Sequence, residues 1–399
     1  MEMKPFRLAK TPEIIFGEGG LSQLPDEAGK YGKRILFITG MSSFEKSGGK
    51  NILEKACTGK FEKIFFEQAP SEPSPELVDS LAAKYRSENL SVIAAVGGGS
   101  VIDCGKALSA MICENESIFS FLEGTGTKKP SGRKIPFIAV PTTSGTGSEA
   151  TKNAVFTKTG TDGFKKSIRH DNYIPEIALV DPALTLALPR RETASSGIDA
   201  LSQLIESYLS NSHNPVTDEL ALSGIRAAAS ALPELYHRQP DNIDLRSKMS
   251  YAALLSGITL ANAGLIVIHG LAGTIGGYFS IPHGTICGTL LPSAMEMNLE
   301  KMKEANCQKS IERYAHIYEA MTGKREKNSL LTAEKLVSLL YELKSELDLP
   351  GLTEMLKSAG AGAAEIKDAF VKIAENSGIK NNPVDLSQRD MLKILHNCG

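Results

Sequence analysis

No stretch of this sequence is apolar for long enough to cross a membrane. Residues 1–11 are polar and basic and lack the apolar core of a secretory signal. Neither sign of charge dominates. The formal net charge is -2, so nothing draws the whole molecule to nucleic acid or to an anionic membrane surface. The cysteines (Cys57, Cys104, Cys113, Cys287, Cys307 and Cys398) are scattered, with no CxxC pair and no disulfide-framework spacing. That pattern points to a reduced, cytoplasmic compartment. Repeats, low-complexity linkers and the GxGxxG fingerprint are all missing. What remains is an ordinary globular composition over 399 residues, a length that suits two or three domains.

The first half alternates strand and helix signals. Residues 34–39 form a short apolar run ending at Gly40, and residues 63–66 a weaker one. Residues 74–87 have helical periodicity behind a capping Ser74. The run 90–96 is apolar and β-branched, 101–113 reads as a helix, and 136–140 is another strand. This alternation predicts a parallel sheet covered on both faces. After Pro189 strand signals stop. Residues 216–232, 245–261, 311–321, 333–347 and 363–376 carry helical apolar spacing, and Ser387 with Asp390 forms a capping box.

Two loops at predicted strand ends carry chemistry. Gly97, Gly98, Gly99 and Ser100 let a ligand approach the backbone, and the helix behind them presents free N–H groups to a phosphate. From Thr142 to Ser148 every residue is a small hydroxyl residue or glycine. Such a loop offers hydroxyl and backbone donors, and in open α/β sheets ligands bind at the carboxyl ends of strands.

The stretch 197–292 holds a third signal. Apolar Ile198, Leu201, Leu204 and Ile205 predict a helix, with Ser195 or Ser196 as its cap. Asp199 and Gln203, four apart, leave one face of it. His269 and His283 lie fourteen apart, each followed by glycine. An acid, an amide and two imidazoles form an oxygen and nitrogen ligand set for a divalent metal. Taken singly, each also suits a plain role in a helical turn or loop.

Residues 97–103, 141–149, 179–182, 197–201, His269 with Gly270, and 282–284 together resemble the motifs of the iron-containing (group III) alcohol dehydrogenases, in order and close to their spacing. The resemblance covers nearly the whole chain. It implies a Rossmann-like α/β dinucleotide-binding domain over 1–188, a helical metal and substrate domain over 189–399, and an active site in the cleft between them. It also implies NAD(P), a divalent metal (iron(II) first, zinc second), a small alcohol or aldehyde substrate, and a homodimer.

Residue by residue, the resemblance assigns Gly98, Gly99 and Ser100 to the pyrophosphate. It assigns Asp103, Thr142, Thr143, Ser148, Asn153 and Lys166 to the nucleotide and nicotinamide cleft. Asp199, His269 and His283 match metal ligands, while Gln203 stands where the family has histidine. Gly273 also replaces a family histidine, so protons pass through water, substrate or a ribose hydroxyl. Gly40, with Met41, Ser42 and Ser43, replaces the Asp of NAD-preferring relatives. With Lys46 nearby, this favours NADP(H), although Glu72 is placed to take over the ribose. Other classes stay open: a metal-independent reductase like the maleylacetate reductases, a lyase like the dehydroquinate synthases, or an inactive binding protein. His170, His213, His237, His316 and His396 read as structural, and Cys104 as a small core residue.

Overall fold

The computed structural model describes residues 5–41, 44, 49–158 and 164–399. Six parallel strands form one sheet: β1 (Glu13–Phe16), β2 (Arg34–Gly40), β3 (Lys63–Ala69), β4 (Val92–Gly97), β5 (Phe137–Pro141) and β8 (Ile177–Val180), in the order β1-β8-β5-β4-β2-β3. Between β5 and β8 an antiparallel hairpin intervenes, β6 (Asn153–Lys158) with β7 (Phe164–Arg169). The helices of this domain are α1 (Leu24–Gly29), α2 (Gly49–Cys57), α3 (Pro75–Tyr85) and α4 (Gly99–Met111).

β4 and β5 are buried along their whole length. Alternation sends Leu36, Ile38, Ile93, Ala95, Phe137 and Ala139 into one core beneath α3 and α4. It sends Ile35, Phe37, Val92, Ala94, Ile138 and Val140 into the other. Burial on both faces explains why these strands read as unbroken apolar runs. β1 is an edge strand, and its short apolar run leaves Ile14 and Phe16 exposed.

No strand follows Val180 among the described residues. The helices are α5 (Arg190–Leu209), α6 (Pro215–His237), α7 (Ile243–Ala263), α8 (Val267–Tyr278), α9 (His283–Glu304), α10 (Gln308–Thr322), α11 (Ser329–Glu346), α12 (Leu352–Ser358), α13 (Ala363–Asn376) and α14 (Gln388–Asn397). They share one large core. No single described helix is long and apolar enough to cross a membrane; α7 and α8 pass that test only as a pair, and they meet at 100°. α5 begins at Arg190 behind Pro189, not at Ser195 or Ser196. Those serines are interior, and the Ser196 hydroxyl donates back to Glu192 O at 2.6 Å. A serine is as able to bond the preceding turn as to cap, so a serine pair does not mark a start.

A buried lysine braces the inner loops. Lys106 on α4 is wholly enclosed, and its ammonium donates to Ser148 O (2.8 Å), Thr151 Oγ1 (3.0 Å) and Asn153 O (2.8 Å). Asp103, one turn earlier, lies 3.8 Å away. Burial lowers the Lys106 pKa to about 8 despite the opposing pull of Asp103 and Glu149.

Candidate functional site

β4 and β5 are neighbours, and their carboxyl ends pair Gly97 with Pro141. The two loops singled out by sequence therefore leave the sheet side by side, joined by Thr142 N donating to Gly97 O at 2.9 Å. Gly98 caps α4, whose first turn presents free N–H groups there. The loops are too close for a side chain at Gly99, where a Cβ would lie 2.5 Å from Thr146 Oγ1; at Gly98 a Cβ would make ordinary contact, 3.4 Å from Thr143 Cγ2. Thr142 Oγ1 is buried without a hydrogen-bond partner. An orphaned hydroxyl at a strand end is a donor awaiting a ligand.

Asp103 and Ser148 meet, but they face each other. The Ser148 hydroxyl donates to Asp103 Oδ1, and Val155 N donates to Oδ2 at 2.9 Å. Both carboxylate oxygens hold loop and hairpin in place. Asn153 opens β6, with its carbonyl on Lys106.

Two adjacent lysines of the hairpin lie on opposite faces of it. Lys166 pairs across the hairpin with Phe156, and its ammonium lies 5.6 Å from the Phe164 ring centroid. Strand alternation puts the adjacent Lys165 on the other face, against α8, where a Cβ on Gly276 would be 3.7 Å from its Nζ. Burial lowers the Lys165 pKa against the opposing charges of Cys287, Asp199, Glu72 and Asp103.

Asp199, His269, His283 and Cys287 bring one ligand atom each within 4.8 Å of one another. Asp199 is deep in α5, His269 in the first turn of α8, and His283 and Cys287 in the first turns of α9. His269 Nε2 is 3.3 Å from Asp199 Oδ1, and Cys287 Sγ is 3.6 Å from His269 Nε2 and 3.7 Å from His283 Nε2. Gln203 lies beside them without offering its oxygen. Its Nε2 donates to Asp199 Oδ2 at 3.3 Å, and its Oε1 accepts from Ser256 Oγ at 2.8 Å. Ser256 Oγ also lies 2.8 Å from Ala253 O and 3.4 Å from Gly145 O, so its one proton is shared among these acceptors and the cluster borders the second loop.

Glu206 was not foreseen as part of this cluster. Two turns along α5 from Asp199, its fully buried carboxylate accepts from Ile266 N (3.2 Å), Ile268 N (2.7 Å) and the imidazole Nδ1 of His269. It caps α8 and aims His269 Nε2 at Asp199, the second-layer arrangement that metal-binding histidines use. The seven-residue spacing puts Glu206 on the same face of α5 as Asp199, but such spacing is too common on helices to single it out in the sequence.

The electrostatics fit a cation. Burial pushes the His283 pKa down to about 3, with Lys165 adding to the effect, so its imidazole is neutral. His283 Nδ1 is buried with no partner, so apart from the thiol nothing satisfies this ring. Burial opposes protonation of His269, but Cys287, Glu206 and Asp199 outweigh it and raise its pKa. Burial would raise Asp199, but the His269 hydrogen bond and both imidazoles hold it low. Burial pushes the Cys287 thiol up to about 11. A buried carboxylate, two imidazoles and a thiol turned inward on one point form a metal-ion donor set. Among the described residues the other histidines stay outside this cluster and make ordinary structural contacts: His237 packs on Tyr236 and His396 on Phe370. His213 pairs with Asp218 (3.0 Å), His316 with Tyr208 Oη (2.8 Å), and His170 caps Asn172 N (3.1 Å).

Ser42 and Lys46 lie outside the described residues. Gly40 is the buried last residue of β2. A cavity of about 670 Å³ opens beside it, lined by Thr39, Met41, Phe44, Lys50, Phe66 and Gln68 and by the carboxylates of Glu54 and Glu67. At Gly273, one turn after His269, a Cβ would meet nothing within 4 Å.

Comparison with known proteins agrees over the whole chain. The family model for iron-containing alcohol dehydrogenase matches residues 11–182, and that for the C-terminal part of the Fe-containing alcohol dehydrogenase family matches 193–399. An NADPH-dependent butanol dehydrogenase of Clostridium saccharobutylicum is 30% identical over 393 residues, covering 97% of this chain and 96% of its own. The crystal structure of an archaeal halo-thermophilic alcohol dehydrogenase from a Red Sea brine pool superposes with a TM-score of 0.89 at 27% identity, covering 100% of both chains. A 1,3-propanediol oxidoreductase structure gives 0.86 at 27% identity, over 99% of this chain and 100% of its own.

Proposed function

We propose, since the chain belongs to the iron-containing alcohol dehydrogenase family, that the inward-facing cluster on α5, α8 and α9 is the metal centre of an NAD(P)-dependent alcohol dehydrogenase that reduces small aldehydes or ketones. The observation that carries this reading is the convergence of Asp199, His269, His283 and Cys287 beside a loop at the strand ends. Bound there, a divalent metal supplies a Lewis acid for the substrate oxygen, and the nicotinamide supplies the hydride for its carbon. The chain's own residues do the rest. Gly98, Gly99 and Ser100 offer amides to the pyrophosphate, and Thr142 offers its unpaired hydroxyl to the nucleotide. Lys165 adds positive charge to the same cleft, and Glu206 holds His269 in its ligating orientation. With glycine at 273, no side chain at that position can donate the proton to the substrate oxygen, and the route would run through water, substrate or a ribose hydroxyl.

We place the domain boundary near Leu188, between the last strand and α5, and the compartment in the cytoplasm, which suits six free cysteines. The test is a panel of small aldehydes and ketones with NADPH and NADH, followed by nicotinamide absorbance, before and after metal removal by a chelator. Turnover that falls on chelation and returns with metal is expected. Chelator-insensitive turnover overturns the metal-dependent reading in favour of a metal-free reductase, and no turnover with either cofactor favours a binding protein.

The reading includes a preference for NADP(H), supported by Gly40 beside the cavity and by the NADPH-dependent relative. A carboxylate at position 40 would repel a 2′-phosphate and bond ribose hydroxyls. Gly40→Asp is expected to move the kcat/KM ratio toward NAD(H) about tenfold, equivalent to ~1.4 kcal/mol. An unchanged ratio would show that specificity lies elsewhere.

A further inference from the structure

We infer that Cys287, and not Gln203, completes the ligand set, so that the metal is held by Asp199, His269, His283 and a thiolate. This rests on the reading of the cluster as a metal centre. Cys287 follows His283 by one helical turn on α9, so both side chains leave the same face. The geometry is that of an assembled site. With metal–nitrogen and metal–oxygen bonds of about 2.0–2.2 Å and a metal–sulfur bond of about 2.3 Å, a tetrahedron has edges of roughly 3.4 Å (N to O) and 3.5 Å (N to S). The separations are 3.3 Å from His269 Nε2 to Asp199 Oδ1, and 3.6 and 3.7 Å from Cys287 Sγ to the two imidazoles. These three of the six edges match, and all four ligand atoms lie within 4.8 Å of one another.

Gln203 is excluded by its partners. A carboxylate only accepts hydrogen bonds, so the amide must turn its NH2 to Asp199, which sends Oε1 to the Ser256 hydroxyl. Oε1 is the only atom of Gln203 able to ligate, and it is turned toward Ser256 Oγ, 2.8 Å away, while the amide nitrogen faces Asp199. The resemblance places an imidazole at 203 in the family. Here an amide stands there, and a thiolate from the adjacent helix supplies the fourth donor.

The chemistry is a ligand substitution without redox change. The Cys287 S–H bond breaks, its proton passes to solvent water, the sulfur lone pair forms the metal–sulfur bond, and a metal-bound water leaves. Two anionic ligands neutralise a divalent cation, and a soft donor moves preference from iron(II) toward zinc or cobalt.

The test uses the full-length protein loaded with zinc or cobalt(II) alone. X-ray absorption of the zinc form is expected to show one sulfur neighbour at about 2.3 Å beside nitrogen and oxygen. The cobalt form is expected to show a near-ultraviolet thiolate-to-metal charge-transfer band. Cys287→Ser should lose the sulfur shell and the band, whether it keeps the metal on three ligands or releases it. Gln203→Leu should keep both. A stoichiometric metal with only nitrogen and oxygen neighbours in the unmodified protein overturns the Cys287 assignment alone. A sulfur shell or band that persists in Cys287→Ser also overturns it. Absence of any stoichiometric metal overturns the metal-centre reading itself.

Discussion

Asp199→Ala is expected to empty the metal centre and to lower kcat/KM for aldehyde reduction about 10³-fold, roughly 4 kcal/mol of transition-state stabilisation. Asp199 is 3% exposed, and its two oxygens face His269 and Gln203. Removing it takes away a ligand charge and leaves His269 Nε2 and the Gln203 amide without that partner. The global fold should persist, because α5 is held by the large helical core and not by this carboxylate. Metal analysis and steady-state kinetics on the same preparation check it. An Asp199→Ala protein that is metal-free and still turns over at near-normal rate would place the enzyme with the metal-independent reductases.

Gly257→Ala is the second. Gly147 in the second loop (φ +61) and Gly257 on α7 approach backbone to backbone. A Cβ on Gly257 would lie 2.1 Å from Gly147 O, and one on Gly147 would lie 2.4 Å from Gly257 N. The obstruction is backbone, so no rotamer change relieves it; the loop must move. Overpacking of this kind costs about 1–3 kcal/mol. A displacement of about 1 Å in a loop that positions reactants costs about 10²-fold in turnover. The expected result is a lower urea midpoint together with a kcat/KM for cofactor reduced about 10²-fold. Full activity in a folded Gly257→Ala protein would show that this loop does not seat the nucleotide.

Much of the fold was legible because its strands are buried on both faces. Residues 34–40, 92–97 and 137–141 announce themselves as apolar runs, and glycine or proline marks their ends. The hairpin β6–β7 was not legible. It is half-exposed and carries lysines, so nothing in a local window separates it from a loop. Lys166 against Lys165 is a register question, decided by which hairpin face packs on α4. The two histidines and Asp199 could be named from spacing and resemblance, and the structure brings them to one point. Cys287 and Glu206 could not. A cysteine four residues after a histidine and a glutamate seven after an aspartate are common on helices. They acquire meaning only when α5, α8 and α9 are packed together.

The cluster draws on helix beginnings. His269 stands in the first turn of α8 and His283 is the first residue of α9, whereas Asp199 lies mid-helix in α5. First turns are where helices fray, since their amides lack partners within the helix. A cation bound across them acts as a clasp on the 266–287 segment, and its departure releases that segment without unfolding the rest. Hydrogen exchange should therefore quicken on metal removal at the starts of α8 and α9 and stay unchanged in the interior of α5. Uniform acceleration across the helical part, or none, would show that the segment is held by packing alone. With exchange quickened at those two starts alone, metal supply sets the enzyme's local rigidity as well as its activity.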